Sequence, residues 1–399
     1  MKTLKTAPKI SRDDLKEDFF SLEVSVKFLT YVFGGGVENN TDNKVDHKNK
    51  SMKPFDPVTP VRASSVRGQL RYWWRATTGA RCQSLEEMRA REIALWGGLT
   101  PDGSTPSSVR VQIKITSDIK EPKGVEVDFY KVPSYAAFPL DISNNKNAEV
   151  WDYSDIKFDL VLRLQKSPDI SEVGYETQKQ ELQLALSAWL TFGGYGGRLS
   201  RGFGAVALAD SYNDITDDPD NLLKRIEALG NVKLSSVPAI SHDQNRLKLK
   251  AYKDSFTAWN EGINKLKSFR TTPPQLKLGI KKWLEGNHIR TIYKNNDGNH
   301  SAQFSFPRAH FGLPINYQKI MSKQYELTLV DATRLPSAVI LRPSSKNHAM
   351  ALWLEGLEPD NSLILKENNK KSFKVTSNLN NDPHYTRKFN IIEEFLENF

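Results

Sequence analysis

From Val61 to Leu85 the chain carries five arginines, Arg62, Arg67, Arg71, Arg75 and Arg81, and not one Asp or Glu. Within VRASSVRGQLRYWWRATTGA, Val66, Leu70, Trp73 and Thr77 recur at spacings of four, three and four, which predicts a helix with that face on a core. Ser64 or Ser65 is the expected N-cap, its hydroxyl meeting an early backbone N–H. Arg67, Arg71 and Arg75 make a second stripe at four-residue spacing. Trp74, turned about 100° from Trp73, is expected off the core face. Guanidinium groups one helical turn apart repel, and a purely structural helix would intersperse acids to gain i to i+4 pairs. The balancing charge must therefore come from outside the helix. One source is a nucleic-acid backbone, whose phosphates accept bidentate guanidinium pairs while an adjacent indole stacks on a base. The other is a set of acids from distant strands of the same chain, in which case the helix is a structural anchor.

The string Arg62 to Arg75, R-x-S-S-x-R-G-x-L-R-x-W-W-R, resembles the signature of the first subunit of the Cmr complex, the type III-B CRISPR effector. Glu92, Trp96 and Gly97 in REIALWGG, followed by Ser108 to Val111 in SSVRVQI, are similar to that family's helix-to-strand passage. Phe192 to Val206, FGGYGGRLSRGFGAV, then resembles the glycine-rich loop of the wider RAMP superfamily of CRISPR RNA-binding proteins. Two motifs in family order are more specific than either alone. The detailed resemblance covers the first half of the chain; PRAHFGLPI and RLPSAVILR further on match only loosely.

Composition agrees without identifying a partner. Lys and Arg exceed Asp and Glu by nine, and the sequence pI near 9.2 favours a polyanion. Cys82 is the only cysteine, which excludes a disulfide framework or a multi-thiolate zinc site within one chain. The opening MKTLKTAPKISRDDLKEDFF has no uninterrupted apolar stretch of the signal-peptide kind, and no uncharged run approaches membrane-spanning length, so a soluble cytoplasmic protein is expected.

Along the chain, LEVSVKF alternates over Leu22 to Phe28 and reads as a half-buried strand ended by Gly34 to Gly36. The polar stretch Val37 to Pro60 is too long for an ordinary connection and is expected to be mobile or ordered only with a partner. Strands are expected at Ser108 to Ile115 and Phe158 to Leu164, and a short extended segment at Tyr135 to Leu140. A helix is expected from about Glu176 to Phe192, with Gly193 as its left-handed terminating residue. The order strand, helix, strands, helix, strand fits a split βαβ unit, the ferredoxin-like arrangement shared with RNA-recognition motifs. The predicted class is α+β. The resemblance implies two such domains in tandem, placed at 1–210 and 211–399.

Asp210 to Asn221 holds five aspartates, yet it lacks the register of a calcium-binding EF-hand loop and reads as a solvated acidic linker. Phe256, Trp259, Ile263 and Leu266 predict a further helix, as do Leu276 to Leu284 and the amphipathic tail NIIEEFLENF.

In the glycine-rich loop, Gly193, Gly194, Gly196, Gly197, Gly202 and Gly204 permit close backbone approach and positive φ, while Arg198 and Arg201 add charge beside N–H groups. Without a following G-K-[ST] it is no Walker loop. The competing role is a steric one, letting the last strand return beneath the helix. Catalysis is not expected. Of His47, His242, His288, His300, His310, His348 and His384, only His47 sits among lysines in the long loop, and Cys82 has no paired base nearby.

Together these readings predict a non-catalytic RNA-binding subunit without cofactor or metal. By resemblance it lies beside other RAMP subunits, near the guide CRISPR RNA's 3′ region and the 5′ part of the target RNA. Arg67, Arg71 and Arg75 would clamp phosphates, Trp74 would stack, and Arg198 with Arg201 would complete one basic groove. The alternatives are a metal-independent endoribonuclease acting through His47, and a scaffold that touches only protein.

Overall fold

The computed structural model describes residues 19–34, 59–101, 103–117, 132–137, 150–272, 283–295, 301–332, 334–359, 363–367, 371–379, 382 and 390–399. The long polar stretch up to Val58, most of the Leu276 to Leu284 helix, and His47, His300 and His384 lie outside these residues.

The first half builds strand β1 (Phe19–Phe28), helices α1 (Ala63–Ala76) and α2 (Leu85–Trp96), strands β2 (Val109–Ile115) and β3 (Lys157–Gln165), helix α3 (Glu172–Phe192) and strand β4 (Val206–Leu208). The sheet runs β2-β3-β1-β4, antiparallel throughout, the ferredoxin-like order. Alternation places Val24, Val26 and Phe28 of β1 under the helices. The strand starts earlier than its apolar pattern because its ladder with β3 continues out to the Phe19–Gln165 pair. Helix α3 starts at Glu172, where the Ser171 side chain caps the Gly174 N–H at 3.1 Å. Tyr135 to Ala137, expected to be extended, instead belong to a single helical turn that follows Pro133, whose carbonyl accepts from Ala136 and Ala137.

The second half builds strand β5 (Leu247–Ala251), helices α5 (Ser255–Thr271) and α6 (Glu285–Asn295), strands β6 (Ile315–Ile320), β7 (Lys323–Leu329), β8 (Val339–Pro343), β9 (His348–Glu355), β10 (Leu363–Glu367) and β11 (Lys371–Val375), and helix α7 (Ile391–Glu397). Strands β5-β9-β8 reproduce the first, third and second strands of a split βαβ unit, with α5 packed on β8 and β9. Among the described residues no fourth strand joins the β5 edge. Strands β6-β7-β10-β11 form a separate antiparallel sheet inserted into this unit, with its own core around Phe306, Tyr325, Leu327 and Leu365.

The main core runs unbroken from Val24, Trp73 and Trp189 to Trp259, Ile263 and Met350, so the two halves share one apolar interior. The acidic segment between them works structurally. Asp217 accepts the Leu208 N–H at 3.0 Å, and Asp218 caps helix α4 (Pro219–Glu227) while pairing with Lys346. Helix α7 docks on its own domain, where Phe395 meets Phe269 and Phe311 edge-on at 5.3 and 5.5 Å.

Candidate nucleic-acid interface

Helix α1 is capped two residues before Ser64 and three before Ser65. Arg62 is the N-cap and its side chain makes no capping bond; Ser64 and Ser65 are exposed within the first turn. The entry is fixed instead by the Arg62 N–H donating to the Tyr195 hydroxyl at 3.1 Å. Val66, Leu70 and Trp73 are buried as the periodicity requires. Trp74 is a correction: it is fully buried, its indole N–H donating to Glu181 at 2.8 Å, so it has no free face for a base. The helix packs on α3 and β2 and also against α2, and with neighbours on two sides both indoles face inward.

The charge that the arginine stripe demanded comes from the next helix. Ser84 caps α2 by accepting the Glu87 N–H, and two turns later Glu92 stands 1% exposed against α1. Arg71 pairs with Glu92, and Arg75 reaches the same oxygen through Nε at 2.7 Å and Nη2 at 2.5 Å. Arg67 donates to the Trp96 carbonyl. Two guanidinium groups thus share one carboxylate while the third is held by a backbone carbonyl, and the Arg71 and Arg75 side chains remain 30% and 39% exposed. The stripe is anchored and still presents net positive charge to solvent.

The glycine-rich loop is shaped by close packing. Gly193 is extended rather than left-handed; a Cβ there would lie 2.4 Å from the Trp73 Nε1. Gly204, at φ +60°, admits no side chain, because a Cβ would sit 1.9 Å from the Tyr195 carbonyl oxygen. Gly194 bridges to Ala205, and the N–H groups of Gly197 and Gly204 donate to the carbonyls of Phe33 and Tyr31, both at 2.7 Å. Those two donors are consumed within the chain, which corrects their expected availability to phosphate. Gly202 turns at φ +79° beneath the Trp259 indole.

The predicted single groove resolves into three places. Arg67, Arg71 and Arg75 lie on the α2 side of α1. On its other side, Arg62, Ser65, Gly68 and Gln69 face Gly196 and Gly197 across an open trench of about 420 Å³. Arg198 and Arg201 point away from both, into a cleft of about 950 Å³ that also receives Arg270, Arg308 and Arg334. Arg198 Nε donates to the Ala136 carbonyl at 2.9 Å and Arg201 to Phe311 at 2.8 Å. Burial lowers the pKa of both guanidiniums. For Arg201, burial together with the charges of Arg270 and Arg198 brings it down to about 9. The sequence reading missed Glu92 as a partner and Arg62, Gly68 and Arg270 as lining. The first three lie inside the quoted motifs; Arg270 carries no local signal.

Among the described histidines, His288 is buried against Asp382 at 2.9 Å, burial pushes His310 down to about 4, and His348 lies 3.3 Å from the Ser344 hydroxyl. Cys82 is buried, and burial raises its thiol pKa, the opposite of what a nucleophile needs.

The family model described as the RAMP superfamily matches residues 25–207. No curated protein matches the sequence. Among solved structures, the chain is similar to apo Cmr1 from Pyrococcus furiosus at 15% identity and a TM-score of 0.48, covering 86% of this chain and 90% of that one. It is also similar to a chain of the type III-B Cmr-beta assembly bound to cognate target RNA, at 13% identity and a TM-score of 0.48, covering 95% and 99%. No described helix is long and apolar enough to cross a membrane.

Proposed function

We propose, from the match of residues 25–207 to the RAMP superfamily model, that the chain is a non-catalytic RNA-binding subunit of a type III-B CRISPR effector. Its place is beside other RAMP subunits, near the guide RNA's 3′ region and the matching 5′ part of the target. Gly68 is the observation that carries the RNA reading. It is exposed in the interior of α1, and among the described residues a Cβ added there would meet nothing within 4 Å. A mid-helix glycine costs about 1 kcal/mol relative to alanine, and here no packing contact requires it. Its place in the trench beside Arg62, opposite Gly196 and Gly197, leaves the helix backbone open to a phosphodiester chain that the Arg62 guanidinium can pair with.

Two measurements test this. Gly68→Gln should stabilise the helix by up to about 1 kcal/mol, since glutamine is a good helix former, while its side chain fills the trench and weakens single-stranded RNA binding about tenfold. Stability and affinity moving together would defeat the reading. Separately, each phosphate neutralised on a single strand changes the slope of log affinity against log salt by about 0.7, so replacing Arg67, Arg71 and Arg75 by glutamine should flatten it by about two units. An unchanged slope with lost stability assigns those three arginines to the fold alone. The absence of catalysis is part of the proposal: uncut repeat RNA after prolonged incubation with purified protein is the expected result.

A further inference from the structure

We infer that the arginine-lined cleft at the seam of the two domains is a binding site for a phosphomonoester on a nucleotide. It is separate from the α1 trench, with which it shares no lining residue. Arg198 and Arg201 come from the glycine-rich loop, Arg270 from the end of α5, Arg308 from the turn Pro307–Phe311, and Arg334 from the segment before β8. The charge count is lopsided. Glu285, fully buried, holds Arg308 through Nε at 2.5 Å and also accepts the Tyr317 hydroxyl at 2.7 Å. Among the described residues no carboxylate pairs with the other four arginines: Arg198 and Arg201 donate only to backbone carbonyls, and Arg334 is exposed at the rim. Among the described residues nothing accepts from the buried Arg270 Nε.

Like charges gathered around a concave, partly dehydrated surface without a counter-ion raise the free energy of the empty site. An anion that accepts several donors at once relieves it. Each guanidinium offers five N–H donors in a planar fork that matches phosphate oxygens bidentately. A monoester phosphate has more terminal oxygens and more negative charge than a diester, and it answers a cluster of this density better than a passing backbone phosphate. Beside the charges stands an aromatic surface. The Arg270 guanidinium lies over the ring of Tyr135, which is partly exposed and lines the cleft, at 5.8 Å. A volume of about 950 Å³ leaves room for a sugar and base beyond the phosphate. Two sources share this chemistry: the phosphorylated end of an RNA strand and a free mononucleotide. The inference rests on the RNA reading only if the ligand is the strand end.

Calorimetric titration of the full-length protein with AMP, and with short RNAs identical except for a terminal phosphate or hydroxyl, tests it. AMP should bind, or the phosphate-ended RNA should bind at least about tenfold more tightly than the hydroxyl-ended one. Stronger binding of AMP marks the free nucleotide as the source; discrimination between RNA ends marks the strand. Arg270→Gln should weaken that binding about tenfold without lowering the melting temperature, because it removes a repelling charge and no ion pair. If that variant does not fold, Arg334→Gln at the exposed rim gives the same test with a smaller loss. Failure of AMP to bind, together with equal affinity for the two RNA ends, overturns the proposal, as does full affinity in either folded variant. Gly68→Gln separates the two readings: it should weaken hydroxyl-ended RNA through the trench, whereas AMP binding depends on the cleft.

Discussion

Glu92→Gln should lower the unfolding free energy by about 3 kcal/mol and at the same time leave RNA affinity intact or raise it at low salt. The first half follows from burial. Glu92 is 1% exposed and pairs with two arginines. Removing one partner of a buried ion pair costs about 3–5 kcal/mol, and the lower figure applies because the Arg71 and Arg75 side chains keep some exposure and can turn toward water. The second half follows from charge. The α2-facing stripe of α1 gains one net positive charge when the carboxylate becomes an amide, and a polyanion binds that surface at least as well. Chemical denaturation and salt-dependent RNA titration on the same samples separate the effects. A fall in affinity that merely tracks the unfolded fraction would assign the stripe a structural role alone. Combining Glu92→Gln with Arg71→Gln completes a cycle whose coupling energy reports the pair itself, free of the cost of stranding either group.

Glu92 also shows where the sequence stops being informative. Periodicity exposed β1, α1, β2, β3 and α3 because each alternates or repeats on its own, whereas β4, three consecutive buried residues, carries no alternation. The absence of acids around Arg67, Arg71 and Arg75 correctly announced an external counter-charge. It could not say which, since Glu92 lies on the following helix, and which helix face meets which is set by packing. Trp74 failed for the same reason. A single apolar stripe predicts one buried face, whereas α1 is covered on two sides and the second indole finds Glu181, 107 residues away. The N-cap was misplaced because the Tyr195 hydroxyl holds the chain at Arg62, so a serine is not needed there. In the second half, β6-β7 come between α5 and β8 and β10-β11 between β9 and α7, and this second sheet with its own alternation hides the ferredoxin-like order. The cleft arginines are scattered from Arg198 to Arg334, and only the fold gathers them.

Arg342→Met should cost about 3 kcal/mol and should lower the stability of both halves together. Arg342 belongs to β8 in the second half, and it is 3% exposed. Its guanidinium crosses the seam to the Gly193 carbonyl and to that of Val206 at 2.5 Å, with a third bond to Pro343 at 3.0 Å. Gly193 and Val206 are the two ends of the glycine-rich segment, so one side chain from the second half holds both. Two opposing effects set the magnitude. Losing the donors strands three buried carbonyls at about 1–3 kcal/mol each. Against this, methionine relieves the burial of a charge whose pKa desolvation has already pushed down to about 9. The stranded acceptors outweigh that relief, because an apolar side chain offers the carbonyls nothing and all three belong to buried residues. Arg342→Lys should be no milder, since a single ammonium cannot span both ends of the loop. The same seam carries Arg81, which donates to the Gly230 and Ile240 carbonyls, and Trp259, whose indole donates to the Arg201 carbonyl at 2.7 Å. With a continuous core beneath these contacts, urea unfolding should remain one transition at a lower midpoint. Two separated transitions, with the first half unchanged in the variant, would show instead that the glycine-rich loop holds its shape without the second domain.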